Sequence, residues 1–139
     1  MRLVFRRLWE DSDGMLEFRL TVENEQYRST HDCYLYPGTI REFGEGLASF
    51  PKSIADSVVL ESGGEDPKWY GWLRLRAYVY DSAGHSALEC LTETRGDELV
   101  RASARFSFRL QAAAFNELGK QLIEWSPNSR DFTFEAREA

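Results

Sequence analysis

Two long segments alternate apolar and polar side chains, and this alternation constrains the fold more than any other feature of the sequence. Between Val100 and Leu110, apolar residues occupy every second position, with arginine or serine between them. Residues 69–80 alternate in the same way, with Leu73 and Leu75 on the apolar face. A period of two places successive side chains on opposite faces of a β-strand. Both segments therefore predict half-buried strands of an antiparallel sheet.

Turn signals and shorter runs predict further strands. Asp11-Ser-Asp-Gly14 separates an apolar opening segment from a second alternating run, which predicts a β-hairpin. Asp81-Ser-Ala-Gly84 has a similar form and returns the chain after the long strand. The predicted strands are residues 3–9, 16–22, 27–36, 69–80, 85–92 and 100–110, with a short apolar run at 58–60. Phe132 and Phe134 add an edge strand or belong to an end that is flexible after about residue 127.

Two segments instead repeat apolar residues at helical spacing. Thr39 and Glu42 have the capping-box form, which predicts that the first helix begins at Thr39. Its apolar stripe consists of Ile40, Phe43, Leu47 and Phe50, and Pro51 ends the pattern. The second helix is predicted over Gln111–Trp125, with a stripe of Phe115, Leu118, Leu122 and Trp125 and with Pro127 beyond its end. Each stripe must be buried against the sheet.

The length of 139 residues is typical of one domain. No shift in composition marks a domain boundary, and no internal repeat is visible in the sequence. We therefore predict a single α+β domain over residues 1–139. It consists mainly of an antiparallel sheet of about six or seven strands with two amphipathic helices.

Charge and cysteine content argue against several classes of function. The chain has 17 Lys+Arg against 23 Asp+Glu, a net charge of -6, and lacks the concentrated basic surface that nucleic-acid binding requires. No apolar run reaches transmembrane length, and the opening apolar run is too short for a signal peptide. Cys33 and Cys90 suit reduced, buried thiols. We expect a cytoplasmic protein that binds neither nucleic acid nor membrane.

The only soft metal ligands are His31, Cys33, His85 and Cys90. Zinc sites need four ligands in a tetrahedron, usually with paired spacings such as C-x-x-C. His31 and Cys33 would point to one side of a strand, but His85 and Cys90 would point to opposite sides. We therefore expect no stoichiometric zinc and no cofactor, and a metal site built from this set is the minor alternative.

No catalytic motif stands out. Gly84-His85-Ser86 places a potential base beside a potential nucleophile, but adjacent strand residues face opposite ways and a hairpin exit explains the string better. Gly44-Glu45-Gly46 falls within the first predicted helix, where glycines serve close packing rather than phosphate binding. These patterns favour a non-enzymatic role.

The outward face of the long strand carries the strongest binding signal. Its residues are Tyr70, Trp72, Arg74, Arg76, Tyr78 and Tyr80. Tyrosine, tryptophan and arginine are enriched in protein-binding hot spots because they combine a large contact area with a polar group. The alternatives are that a helix covers this face, or that Arg74 and Arg76 pair across strands with Glu89.

Several strings resemble a set of small bacterial proteins, some of them similar to immunity proteins that neutralise contact-dependent toxins. The strings are Tyr34-Leu-Tyr-Pro37 before a helix, the long aromatic strand, Gly84-His85 at a hairpin, and Leu118-Gly119-x-x-Leu122 in the last helix. The resemblance covers most of the chain and implies tight, steric binding to a toxin domain. An acidic chain would suit a basic nuclease toxin.

The sequence therefore predicts a non-enzymatic protein-interaction domain, immunity-like in its action. The alternative is a small-molecule-binding domain or an enzyme with a pocket between the sheet and the helices. A protein partner is expected, and self-association into a homo-oligomer is left open.

Overall fold

The chain folds into eight strands and two helices in a computed structural model that describes all 139 residues. In order, the elements are β1 (Arg2–Glu10), β2 (Leu16–Glu23), β3 (Arg28–Leu35), α1 (Pro37–Ala48), β4 (Ser57–Gly63), β5 (Gly71–Val79), β6 (Ser86–Thr94), β7 (Ala102–Leu110), α2 (Ala112–Glu124) and β8 (Phe132–Glu135). The prediction of an α+β fold with two helices and antiparallel pairing is confirmed. Neither helix has the length and apolar character needed to cross a membrane.

The strands form two antiparallel sheets of four rather than one sheet of six or seven. Sheet 1 has the order β3-β2-β1-β8, and sheet 2 has the order β4-β5-β6-β7. The predicted strand number was wrong because residues 57–63 and 132–135 each form a complete edge strand. Alternation identifies strands but does not say which strands pair, so the division into two sheets had no signal in the sequence.

The two predicted hairpin turns are present and similar in geometry. Gly14 and Gly84 have φ values of 92° and 89°, in the left-handed region that a side chain disfavours. In each turn the glycine N–H donates to the carbonyl of an aspartate three residues earlier, at 3.0 Å from Asp11 and 3.2 Å from Asp81. Turn chemistry therefore sets the β1–β2 and β5–β6 hairpins.

The first helix begins earlier than predicted. Its first residue is Pro37, and Tyr36 precedes it in extended conformation without a capping side chain. The capping box at Thr39 and Glu42 is therefore wrong, because the fixed φ of proline already favours the start of a helix at Pro37. The predicted stripe is correct in its burial, since Ile40, Phe43 and Leu47 are buried within α1. Phe50, beyond the helix end, is buried too.

One hydrophobic core of 26 buried residues draws on both sheets and both helices. Phe108 and Leu110 of β7 are buried as predicted, whereas Phe106 is half-buried at the core margin. The inner faces of the two sheets meet at Ser29 and Thr92, whose hydroxyl groups lie 2.7 Å apart in a buried hydrogen bond. Trp125, directly after α2, packs on Phe5 and Phe18 of sheet 1 with ring centroids 5.5 Å away in each case.

The topology contains an internal repeat that the sequence did not reveal. β1-β2-β3-α1-β4 and β5-β6-β7-α2-β8 have the same order of elements. The last strand of each unit pairs with the first strand of the other, because β4 lies beside β5 and β8 lies beside β1. The buried helix residues also follow one spacing, Ile40, Phe43, Gly44 and Leu47 in α1 and Phe115, Leu118, Gly119 and Leu122 in α2. Each sheet is therefore completed by a strand from the other unit.

Candidate protein-binding face

The candidate site lies on the side of sheet 2 that faces away from the core. On β5, Leu73, Leu75 and Ala77 are buried among residues of both helices, so the intervening side chains point outward. We call this side the outer face. Its central residues are Trp72, Arg74, Arg76 and Tyr78 of β5, Glu61 of β4, Glu89, Leu91 and Glu93 of β6, and Ser103, Arg105, Ser107 and Arg109 of β7. Since the helices pack on the opposite side, neither of them covers it.

A buried carboxylate organises the centre of the outer face. Glu89 keeps only 5% of its side chain exposed, although it points away from the core. Glu89 Oε1 lies 2.7 Å from Arg74 Nη2 and 3.5 Å from Arg76 Nε. Glu89 Oε2 accepts two hydrogen bonds from Arg105, from Nε at 3.2 Å and from Nη2 at 3.0 Å. The cross-strand pairing of Arg74 and Arg76 with Glu89 is therefore present, and Arg105 joins it from β7.

The arginines determine the charge state of Glu89. Burial alone would raise the pKa of this carboxyl group, but hydrogen bonds from Arg74 and Arg105 and the charge of Arg76 outweigh it and hold the pKa below the usual value of 4.5. Glu89 is thus ionised at neutral pH. The central residues of the outer face include four arginines and three glutamates, so this face has a slight positive balance although the whole chain is acidic.

Aromatic rings hold the arginines in an extended arrangement. The Arg74 guanidinium carbon lies 5.5 Å from the Trp72 ring centroid, and Arg76 lies 4.3 Å from the ring of Tyr78. Trp72 also donates from Nε1 to Glu61 at 2.7 Å. These contacts fix the side chains before any partner binds, so less rotamer entropy is lost on association.

Two arginine nitrogens remain without a hydrogen-bond acceptor. Nε of Arg74 and Nε of Arg76 are both shielded from solvent and make no hydrogen bond within the protein. Both guanidinium groups interact with Glu89 nonetheless, Arg74 through Nη2 at 2.7 Å and Arg76 by an ion pair at 3.5 Å from Nε, so the carboxylate partly compensates these shielded donors.

The two ends of the predicted six-residue row differ. Tyr70 precedes β5 and packs edge-on against Tyr34 of β3, with ring centroids 4.9 Å apart. Its hydroxyl lies 2.5 Å from that of Ser62, so Tyr70 joins the edges of the two sheets instead of extending the outer face. Tyr80 follows β5, stacks on His85 at 6.0 Å and has the Arg109 guanidinium 5.8 Å from its ring centroid. The structure therefore places Trp72, Arg74, Arg76 and Tyr78 together, with Tyr80 at the border of the outer face beside Arg109.

The hairpin at residues 80–85 borders an open depression of about 700 Å³, lined also by Arg109, the start of α2 and Ala139. His85 Nδ1 lies 2.6 Å from Asp81 Oδ2, an aspartate–histidine pair at the surface. Hydrogen bonds from the His85 side chain and backbone lower the pKa of Asp81. Ser86 is buried and donates to the Leu110 carbonyl at 2.8 Å. It therefore faces away from His85 and is not placed as a nucleophile.

The four soft ligands are dispersed. His31 and Cys33 lie on the inner face of sheet 1, Cys90 lies on the inner face of sheet 2, and His85 is exposed at the hairpin. No three histidine, cysteine or acidic side chains lie close enough to share a metal ion. Burial raises the pKa of the Cys33 thiol far above its usual value and that of Cys90 to about 12, so both are protonated at neutral pH. Protonated thiols are poor metal ligands.

Arg105 and Arg109 belong to the outer face but had no distinctive signal in the sequence. They occupy polar positions of β7, which alternation by itself indicates only as the solvated side of a strand. Their proximity to β5 depends on β6 lying between the two strands, which the hairpin signals alone did not establish. No protein-family model, curated protein or solved structure matches the chain.

Proposed function

We propose that this chain is a protein-binding domain whose contact surface is the outer face of sheet 2. The observation that carries the proposal is the uncovered, half-buried group of Trp72, Arg74, Arg76 and Tyr78, in which Glu89 holds the two arginines and the arginines lie against the two rings. Each of these residue types is enriched at the centre of interfaces, where arginine and aromatic side chains supply most of the binding energy. A rigid sheet surface presents them with little motion.

The mode of action that we propose is immunity-like, in which the domain covers a toxin and blocks it sterically. Support comes from the resemblance of short sequence strings and from the arginine and aromatic side chains on the uncovered outer face. The net charge of the chain is -6, whereas the four arginines and three glutamates at the centre of the outer face give this surface a slight positive balance. Overall charge influences the rate of encounter, whereas the local arginines select the surface that docks.

Replacing Trp72 by alanine tests this surface. Trp72→Ala removes an aromatic anchor, so we expect the affinity for a partner captured with the wild-type chain to fall by about 30-fold, or about 2 kcal/mol. The free energy of unfolding should change by less than about 1 kcal/mol, since Trp72 is half-exposed. Affinity capture followed by calorimetric titration of the captured protein measures the affinity, and urea unfolding measures the free energy of unfolding.

Trp9→Ala is the matched control, because Trp9 is an exposed tryptophan on sheet 1 with 55% of its surface accessible. It should leave the affinity unchanged. A partner that binds the Trp72→Ala and wild-type chains equally would exclude the outer face as the contact surface. A toxin gene directly upstream of this gene would support the immunity-like role, and an unrelated metabolic operon would oppose it.

Small-molecule binding is the second candidate function, and the depression beside the 80–85 hairpin is the observation that favours it. The Asp81–His85 pair and Arg109 supply polar groups at its rim. Titration of the protein with a panel of small carboxylates and phosphates, followed by amide chemical shifts, tests this function. Shifts confined to the hairpin and the start of α2 would support it, and no shift at millimolar ligand would reject it.

A further inference from the structure

The edge of sheet 2 formed by β7 is long, regular and open. All nine residues of β7 pair with β6 in one continuous register from Ser86↔Leu110 to Thr94↔Ala102, without a bulge. The strand contains no proline. Proteins usually protect such an edge, because its unpaired N–H and C=O groups are a template for another strand.

The other three edges are shorter than that of β7, and two of them come together. β8 has only four residues. The edges of β3 and β4 meet where the Ser62 hydroxyl accepts from the Tyr34 N–H at 3.1 Å and donates to the Tyr34 carbonyl at 2.9 Å. β7 has one comparable contact, at its end, where the Ala139 N–H donates to the Arg109 carbonyl at 2.8 Å.

That contact shows which backbone groups are free. The Arg109 carbonyl points away from β6, and the backbone groups of successive strand residues alternate in direction. Ser103, Arg105 and Ser107 therefore direct their N–H and C=O groups to the open edge. No turn, loop or terminal segment of the protein bonds to them.

The two sides of this edge differ in chemistry. The outer side carries Arg105 and Arg109. The inner side carries Phe106, whose ring stacks on the exposed ring of Tyr27 with centroids 5.8 Å apart. A strand added to β7 would alternate in the same way, with one set of side chains beside the arginines and the other beside these rings.

We infer that β7 accepts an extended segment of a partner protein as a fifth strand of sheet 2, and that this segment alternates acidic and apolar residues. The inference rests on the proposed protein-binding function and identifies the chemistry of its partner. Backbone hydrogen bonds to Ser103, Arg105 and Ser107 provide affinity for any extended segment. Carboxylates beside Arg105 and Arg109 provide selectivity for acidic segments. A second copy of this chain fits less well, because the outer side of its β7 carries only serines and arginines and supplies no carboxylate to Arg105 and Arg109.

The test uses three synthetic peptides with blocked ends and the full-length protein. The first alternates valine and glutamate over nine residues, the second alternates valine and lysine, and the third has the composition of the first with its glutamates contiguous. We expect the alternating glutamate peptide to bind at least tenfold more tightly than either of the others. Its binding should slow amide hydrogen exchange at Ser103, Arg105 and Ser107.

Ser107→Pro removes one free edge N–H without removing a bond to β6, so the fold should tolerate it. It should weaken binding of the glutamate peptide at least tenfold. Thr30→Pro is the matched control on the edge of β3 and should leave binding unchanged. Arg109 makes no ion pair within the protein, so Arg109→Gln should leave the fold intact. It should reduce the preference of the protein for the glutamate peptide over the lysine peptide.

Four results would overturn the inference: no binding of the glutamate peptide at millimolar concentration, equal binding of all three peptides, binding unaffected by Ser107→Pro, or a dimer of this chain that Ser107→Pro converts to monomer. The proposed function is tested separately by Trp72→Ala. If a captured partner loses affinity with Trp72→Ala but not with Ser107→Pro, the outer face is the contact surface and strand addition at β7 is wrong.

Discussion

Glu89 shows how one carboxylate can set the properties of a whole surface. It lies on the outer face, yet Arg74, Arg76 and Arg105 surround it so closely that little of it contacts water. Removing one member of a buried ionic group is costly because the remaining charges lose their partner. Glu89 therefore holds the three arginines in place, and a partner meets them already ordered.

Glu89→Gln should lower the free energy of unfolding by about 3 kcal/mol at pH 7, because three guanidinium groups would then repel one another around a neutral amide. Urea unfolding measures the change. Glu61→Gln is the control, since Glu61 is exposed and should cost less than about 1 kcal/mol. Equal stability of the Glu89→Gln and wild-type chains would show that the arginines do not depend on this carboxylate.

The folded-state pKa of Glu89 is depressed. Its contribution to the free energy of unfolding is therefore present above about pH 4.5 and lost as the pH falls through that lower pKa.

His31 should make the fold sensitive to mild acid. Burial lowers its pKa below the usual 6.5, the Asp32 carboxylate opposes this shift only in part, and its Nε2 has no hydrogen-bond partner. The unfolded chain therefore binds a proton more readily than the folded chain, so stability is retained above about pH 6.5 and falls as the pH drops towards the folded-state pKa. His31→Gln should flatten the decline in unfolding free energy between pH 7 and pH 5.

His85→Gln is the matched control for this pH dependence, since His85 lies at the surface. It should keep the wild-type decline. An unchanged decline in the His31→Gln chain would assign the pH dependence to other groups.

At the scale of the elements, the two helices cross at a pair of glycines. A Cβ atom on Gly119 would lie 2.5 Å from the Gly44 carbonyl oxygen and 2.5 Å from the Ala48 nitrogen. A Cβ atom on Gly44 would meet its neighbours at 3.0 to 3.2 Å, which is a milder clash. The close packing expected of the glycines in the first helix is present, and the neighbour of Gly44 is the other helix. Gly46 is the glycine that packs on the sheet, against Val58 of β4.

Gly119→Ala should destabilise the fold by about 2 kcal/mol, because the backbone of α1 must move away. Gly44→Ala should cost less, since better helix propensity offsets a smaller strain. Lys120→Ala, an exposed substitution in the same helix, should be nearly neutral. Thermal unfolding of the three variants gives the order, and a stabilised Gly119→Ala chain would contradict the close helix crossing.

At the scale of the whole molecule, the exchanged edge strands tie the two repeat units together. Sheet 1 contains β8 from the second unit, which contributes the buried Phe132 and Phe134, and sheet 2 contains β4 from the first, which contributes the buried Leu60. Neither unit can complete its own sheet from its own strands. The chain should therefore unfold in a single transition.

Fragment complementation tests this interdependence. Residues 1–66 and 67–139, expressed separately, should each lack cooperative unfolding, because each has an unpaired strand and only part of the core. An equimolar mixture should recover the circular dichroism spectrum and the unfolding transition of the intact chain. A fragment that folds cooperatively by itself would show that the exchanged strands are not required.

The sequence alone determined the local features of this protein. Alternation identified the long strands, Asp11–Gly14 and Asp81–Gly84 identified the hairpins, and the 3.6-residue spacing identified the buried faces of both helices. These features depend on side chains that are close in the chain and therefore leave a local pattern. Four residues of the candidate outer face were identified in this way because they all belong to β5.

Only the tertiary structure decided how strands outside these two hairpins pair, that there are two sheets, and that each sheet takes its last strand from the other unit. It also brought Arg105 beside Glu89 and left β7 as the open edge. These relations join residues far apart in the chain, and they are set by which apolar faces can be buried together. A single sequence records that a face must be buried, but the packing of the whole chain decides what buries it.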